Sequence, residues 1–246
     1  MRMLAELIDL VLPADCLGCG RPGIAWCAAC QPASVPRQVG HHPGAPAVFA
    51  AGNYLDQLRT ALIEYKERGR RQLTARLADY LADAVDCAIR AEHGPAVLVP
   101  VPSRPAAARS RGGDHVLRLA HQVARQTGLP VFRALSLTGP VSDSAGLSAE
   151  QRRSNLAGRM AARAPAEPGL RPILLDDIVT TGATLAEAAR ALAAAGWPAA
   201  GAAVIAATAL RRGGHIAGEA NAGTTAPCGP EMGAVALQLG RSARKG

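Results

Sequence analysis

From residue 48 onward, short unbroken apolar runs alternate with segments whose apolar positions fall three and four residues apart. VFAAGNY (48–54), AVLVPVP (96–102), residues 130–134, the run Ile173-Leu174-Leu175 and residues 200–208 have the length and content of buried strands. Between them, Leu55, Leu58, Leu62 and Tyr65 predict a helix over 55–66. Leu77, Tyr80, Leu81 and Val85 predict a second over 73–90, and Leu117, Ala120, His121 and Ala124 share one face of a third over 114–127. An Ala-rich helical pattern closes the series, running to Ala195. Strands without polar alternation are buried on both faces, so the alternation predicts an α/β fold with a parallel sheet and flanking helices. Residues 139–149 read as a hydroxyl-rich loop, and 150–155 as a helical start whose Arg152 and Arg153 could face a phosphate. Beyond Arg211 the periodicity ends, which predicts a disordered tail over 213–246.

Residues 1–45 follow another logic. Cys16-x-x-Cys19-Gly20 and Cys27-x-x-Cys30 are two CxxC pairs flanking a short turn, the spacing that brings four thiolates around one Zn²⁺. Four sulfurs leave no open position, so such a metal is structural, and its binding would supply folding energy that so short a segment lacks. A redox reading of the two pairs competes, but both lie in Gly/Pro-rich surroundings rather than at a helix start after a strand. Residues 31–46 read as a linker, with His41 and His42 as linker residues. The predicted organisation is a zinc ribbon with linker over 1–45, an α/β domain over 46–212 and the tail.

Composition narrows the picture. No apolar run reaches the length of a membrane span. The opening MRMLAELIDLVLPADC is interrupted by Glu6 and Asp9 and reads as an amphipathic helix rather than a signal peptide, which predicts a cytoplasmic protein. The net charge of +8 is almost wholly arginine and favours polyanionic partners, phosphates or nucleic acid alike. The segment Lys66–Arg71 reads as a basic turn, either a solvated connection or an anion contact.

The chemistry concentrates in residues 172–185, PILLDDIVTTGATL. A buried strand ends in Asp176 and Asp177, a loop rich in hydroxyls and glycine follows, and a helix begins. Unpaired backbone N–H groups and the helix dipole favour a phosphate there. Gly182 allows close approach or positive φ, Thr180, Thr181 and Thr184 add hydroxyls, and Ala183 is small. The carboxylates suit vicinal hydroxyls, and a phosphate with a diol suggests a ribose 5-phosphate. A Walker B strand is the rival reading, but it needs a lysine-bearing phosphate loop. The chain's only lysines, Lys66 and Lys245, lie in no such loop.

This stretch resembles the 5-phosphoribosyl 1-pyrophosphate (PRPP) motif of type I phosphoribosyltransferases. The resemblance implies Asp176 and Asp177 at the ribose hydroxyls and residues 180–184 at the 5-phosphate. It further implies Ser103 and Arg104, after strand 96–102, at the pyrophosphate, and Arg109 and Arg111 on a loop closing over it. Mg²⁺ would bridge pyrophosphate and ribose oxygens. The order of motifs is similar to that of the ComF (GntX-like) family. It runs from the four cysteines through Tyr65-Lys66-x-x-Gly69, Val99-Pro100-Val101-Pro102, Arg111-Gly112 and Arg152-x-x-Asn155 to the segment 176–184. Where that family usually has Arg-Gly-Phe-Asn-Gln, this chain has Arg111-Gly112-Gly113-Asp114-His115, and an expected Gln is Asp143. Membership implies a pyrophosphate-releasing phosphoribosyltransferase linked to competence, the handling of incoming single-stranded DNA. The alternative is a non-catalytic module that holds single-stranded DNA on the same fold with arginines over 59–76. Its support from base stacking is thin, because aromatic residues make up 3% of the chain.

Overall fold

The computed structural model describes residues 15–40, 42–91, 94–104, 108, 113–138, 156–164 and 169–208. The opening helix, Arg109, Arg111, Asp143, residues 152–155 and the tail lie outside the described residues.

Five strands form the main sheet: β1 (Arg37–Gln38), β2 (Val48–Asn53), β3 (Ala96–Pro100), β6 (Arg171–Val179) and β7 (Gly201–Ala207). Their order is β1-β2-β7-β6-β3, with β2, β7, β6 and β3 mutually parallel and β1 antiparallel at the edge. The α/β expectation therefore holds, with a mostly parallel sheet. Among the described residues the α-helices are α1 (Asp56–Lys66), α2 (Thr74–Ala91), α3 (His115–Thr127) and α4 (Ala183–Ala194). One face of the sheet packs Ile173, Leu175, Ala203 and Ile205 against Leu62, Leu77, Leu81 and Leu119 of α1–α3. The other packs Leu174, Ala202 and Val204 against Leu185, Ala188 and Leu192 of α4. β7, GAAVIAA, is buried at every position. Its small side chains let α2 come close: a Cβ at Gly201 would lie 3.7 Å from that of Ala88. Each face holds one tryptophan. Trp26 stacks on Tyr80 at 5.9 Å, and Trp197 meets Phe132 edge-on and donates from Nε1 to the Leu170 carbonyl at 2.7 Å.

Five details depart from the sequence reading. The stretch read as a linker holds β1, framed by bonds from Val35 N to Ala51 O and from Val39 N to Val48 O, both 2.9 Å. An edge position tolerates its neighbouring prolines, which cannot donate to a ladder. The strand expected over 130–134 shrinks to a single parallel bridge, Val131 to Leu98. The chain then enters an unforeseen antiparallel hairpin of β4 (Leu135–Leu137) and β5 (Met160–Ala162), too short to show a period. Glu187 of α4 holds the hairpin by accepting from Met160 N at 3.0 Å. β6 also runs two residues past the acids, because Ile178 and Val179 continue its register with Ala206 and Ala207. Finally, the cysteine segment does share a core: Cys16, Trp26 and Cys27 are buried among the residues of α2 and α3.

Among the described residues no helix is long and apolar enough to cross a membrane.

Candidate functional site

β3 and β6 are neighbours, yet the helices that follow them cover opposite faces: α3 joins the α1–α2 side and α4 the other. Such a reversal marks the end of the sheet where ligands of open α/β folds bind, beyond the carboxyl ends of the strands. The loop after β3 carries Ser103 and Arg104, and residues 180–184 form the loop after β6 and the first turn of α4, so both sequence-predicted segments lie at this end of the sheet.

The acids are not equivalent. Successive strand positions face opposite sides, and Asp177 points to the α1–α3 side, where only 3% of it is exposed. Its Oδ2 lies 2.7 Å from Lys66 Nζ and 3.0 Å from His115 Nε2. Burial disfavours its charge, but Lys66 and His115 outweigh that and hold the carboxyl far below the usual carboxylate range. Asp176 keeps part of its surface open, and its Oδ1 accepts from Asp177 N at 2.8 Å. Burial and the adjacent Asp177 charge push its carboxyl well above the usual range. Two adjacent acids are thus driven apart, one charged and one reluctant to charge, a pattern found where carboxylates take different roles.

His115 is the site residue that sequence reasoning missed, and Lys66, read only within a basic turn as a solvated connection or an anion contact, was not assigned to the acids. Lys66 ends α1, and its signal was rarity, since it is one of two lysines in the chain. His115 opens α3 just after Asp114, which caps the helix by accepting from Val116 N and Leu117 N. Asp114 also accepts from Ser103 N at 2.9 Å and from Ser103 Oγ at 3.0 Å, and Ser103 Oγ is 3.1 Å from His115 Nδ1. A continuous polar chain therefore runs from Lys66 through Asp177, His115 and Ser103 to Asp114. Tyr65 supports it by donating to the His115 carbonyl at 3.0 Å, and the Arg118 guanidinium lies over the tyrosine ring. Arg104 stands half-buried at the mouth of this loop, its carbonyl accepting from Ala108 N at 2.8 Å.

Over residues 180–184, the loop and first turn of α4, Thr180 is exposed, Thr181 Oγ1 accepts from Ala183 N at 3.4 Å, Ala183 is buried and Thr184 is half-buried. Gly182 sits at φ +73° as the cap of α4, where L side chains are strained. A second constraint acts there: a Cβ would come within 2.5 Å of the His42 Cβ. His42, read as a linker residue, is instead 3% exposed and seated on the loop.

At the other end of the chain, the ligand atoms of Cys16, Cys19, Cys27 and Cys30 all lie within 4.8 Å of one another, a cluster able to hold a metal ion such as zinc. The Cys19 and Cys27 sulfurs are 3.8 Å apart, close to the edge of about 3.8 Å that a tetrahedron with Zn–S bonds of about 2.3 Å requires. Cys16 Sγ accepts from Cys27 N at 3.3 Å. Backbone bonds from Cys19 and Cys27 lower the Cys16 thiol to about 6, while the neighbouring Cys27 thiol pushes Cys30 up to about 12. Gly18 is obligatory, since a Cβ there would stand 2.6 Å from that of Cys30.

The sequence matches no family model and no curated protein.

Proposed function

We propose that this chain is a phosphoribosyltransferase-like protein of the ComF type that binds PRPP and transfers its ribosyl 5-phosphate to an acceptor, releasing pyrophosphate. The observation that carries the reading is the hydrogen-bonded chain that ties the acid pair at the end of β6 to the Ser103 loop after β3, with a hydroxyl- and glycine-rich helix start following the acids. In this reading residues 180–184 hold the 5-phosphate through backbone N–H groups and threonine hydroxyls. Asp176, a half-buried residue at the end of the strand, accepts hydrogen bonds from the ribose hydroxyls. Asp177, kept ionised beside Lys66, sets negative charge behind the ring carbon as positive charge develops on it. The bond from that carbon to pyrophosphate oxygen breaks with its electron pair going to the oxygen, and the acceptor's lone pair forms the new bond. Ser103 and Arg104 meet the pyrophosphate, with Arg109 and Arg111 joining from a segment outside the described residues. Asp176 is a hard oxygen donor suited to Mg²⁺, which when bound neutralises pyrophosphate charge. The four cysteines would hold a structural Zn²⁺.

Titration of Mg²⁺ and PRPP into wild type and Asp176→Ala by calorimetry, with pyrophosphate assayed in the same samples, tests this. Binding lost in the variant, with pyrophosphate released by wild type, is the expected result. A folded wild type that binds no PRPP would end the reading.

One surface favours a second role. Arg118, His121 and Arg125 line a groove on the outer side of α3, a cationic strip suited to the backbone of single-stranded DNA in competence. DNA affinity falling steeply with salt and lost in Arg118→Ala/Arg125→Ala would support that role, and no affinity at low salt would remove it.

A further inference from the structure

We propose that His115 is a positioning residue whose one imidazole locks the loop after β3 to the acid pair, setting the pyrophosphate and ribose ends of the site together; this rests on the phosphoribosyl reading above. The ring is buried, and both nitrogens are engaged across different elements: Nε2 with Asp177 of β6 at 3.0 Å, Nδ1 with Ser103 at 3.1 Å. Its backbone is fixed independently, by the Tyr65 hydroxyl on its carbonyl and by the Asp114 cap before it. The imidazole therefore has little freedom to leave either partner.

The surrounding charges explain why a ring with nitrogens at both ends stands here. Lys66 from α1 shares Asp177 Oδ2 with it, Asp176 lies next along β6, Asp114 faces it through Ser103, and Arg118 sits beyond Tyr65. The Ser103 hydroxyl has one proton and two neighbours, Asp114 Oδ1 and His115 Nδ1. A group able to donate or accept at Nδ1 satisfies that hydroxyl in either orientation. An apolar residue would leave both Ser103 and Asp177 short of a partner in a buried setting, which costs more than the bonds alone.

Two variants divide the imidazole between them. Gln places its amide near the Nε2 position and keeps Asp177, whereas Asn places its amide near Nδ1 and keeps Ser103. Full-length His115→Gln and His115→Asn are titrated separately with Mg²⁺-pyrophosphate and with ribose 5-phosphate. His115→Gln is expected to weaken pyrophosphate about tenfold while holding ribose 5-phosphate within about threefold, and His115→Asn to do the reverse. Equal effects of both variants on both ligands would overturn the inference. ¹⁵N NMR titration of the His115 ring in unliganded wild type and Ser103→Ala separates the two readings. An unmoved midpoint in Ser103→Ala overturns the locking role whatever the ligands do. A moved midpoint in a protein that binds neither ligand supports the lock and overturns the phosphoribosyl reading instead.

Discussion

The cysteine cluster and the acid pair are both gatherings of groups that repel one another when ionised, and they solve the problem in opposite ways. The acid pair carries its own cation: Lys66 is built into the fold beside Asp177, with the His115 imidazole hydrogen-bonded to the same carboxylate. Among the four thiols, backbone hydrogen bonds at Cys19 and Cys27 lower Cys16 to about 6, while the hydrogen bond with the Cys27 thiol and burial push Cys30 up to about 12. Four thiolates at this spacing are mutually compatible only around a cation supplied from outside. One region is complete on folding, and the other is a cluster able to take an ion from solution.

The strongest way to break this contrast is to take the external cation away. Chelation, or Cys16→Ser, is expected to release about one zinc per chain and to cost about 3 kcal/mol or more. That is below the ~10–16 kcal/mol of isolated zinc-finger peptides, because Trp26 still has Tyr80 to pack on. Elemental analysis with thermal melts reads both effects, and an unchanged melt in metal-free protein would show that the cysteines need no ion.

Removing the internal cation should be next in size. Lys66→Met leaves a buried carboxylate with one of its two partners, and a loss of about 3 kcal/mol is expected in denaturant melts. Because the folded state lowers the Asp177 pKa, its stabilisation is fully present above the ordinary carboxylate value of about 4 and is lost progressively as the pH falls below it toward the much lower folded value. The gap between wild type and variant should therefore narrow in acid, and a gap that widens there would refute the assignment.

The smallest effect has the opposite sign. The folded state raises the Asp176 pKa, so this carboxyl costs nothing below about pH 4 and costs progressively more as the pH rises. Asp176→Asn should raise the melting temperature by about 2–4 °C at neutral pH, with no gain in acid. A variant less stable than wild type at neutral pH would mean that Asp176 is not strained.

Much of this was legible in the chain. Unbroken apolar runs such as AVLVP and GAAVIAA gave the parallel strands, and residues 172–185 gave the strand, loop and helix in order. The cysteine spacing gave the cluster. Contacts between distant residues were not legible, because periodicity carries no information about them: His115 and Asp177 are 62 positions apart. Short elements were hidden for another reason. A two-residue strand at Arg37–Gln38 and a three-residue hairpin arm shaped by its partner leave no pattern of their own. His42 was lost inside a Pro/Gly-rich stretch whose composition says linker, although its ring is what Gly182 makes room for.

The placement of the two tryptophans gives the molecule a pair of native optical probes. Trp26, stacked on Tyr80 four residues before Cys30, shares its surroundings with the sulfurs, whereas Trp197 lies across the sheet against Phe132. Emission from the first ring reports on the ribbon and its helix, and emission from the second on the opposite layer. With one of the two replaced by phenylalanine, the same intrinsic signal follows each layer separately, without any attached dye.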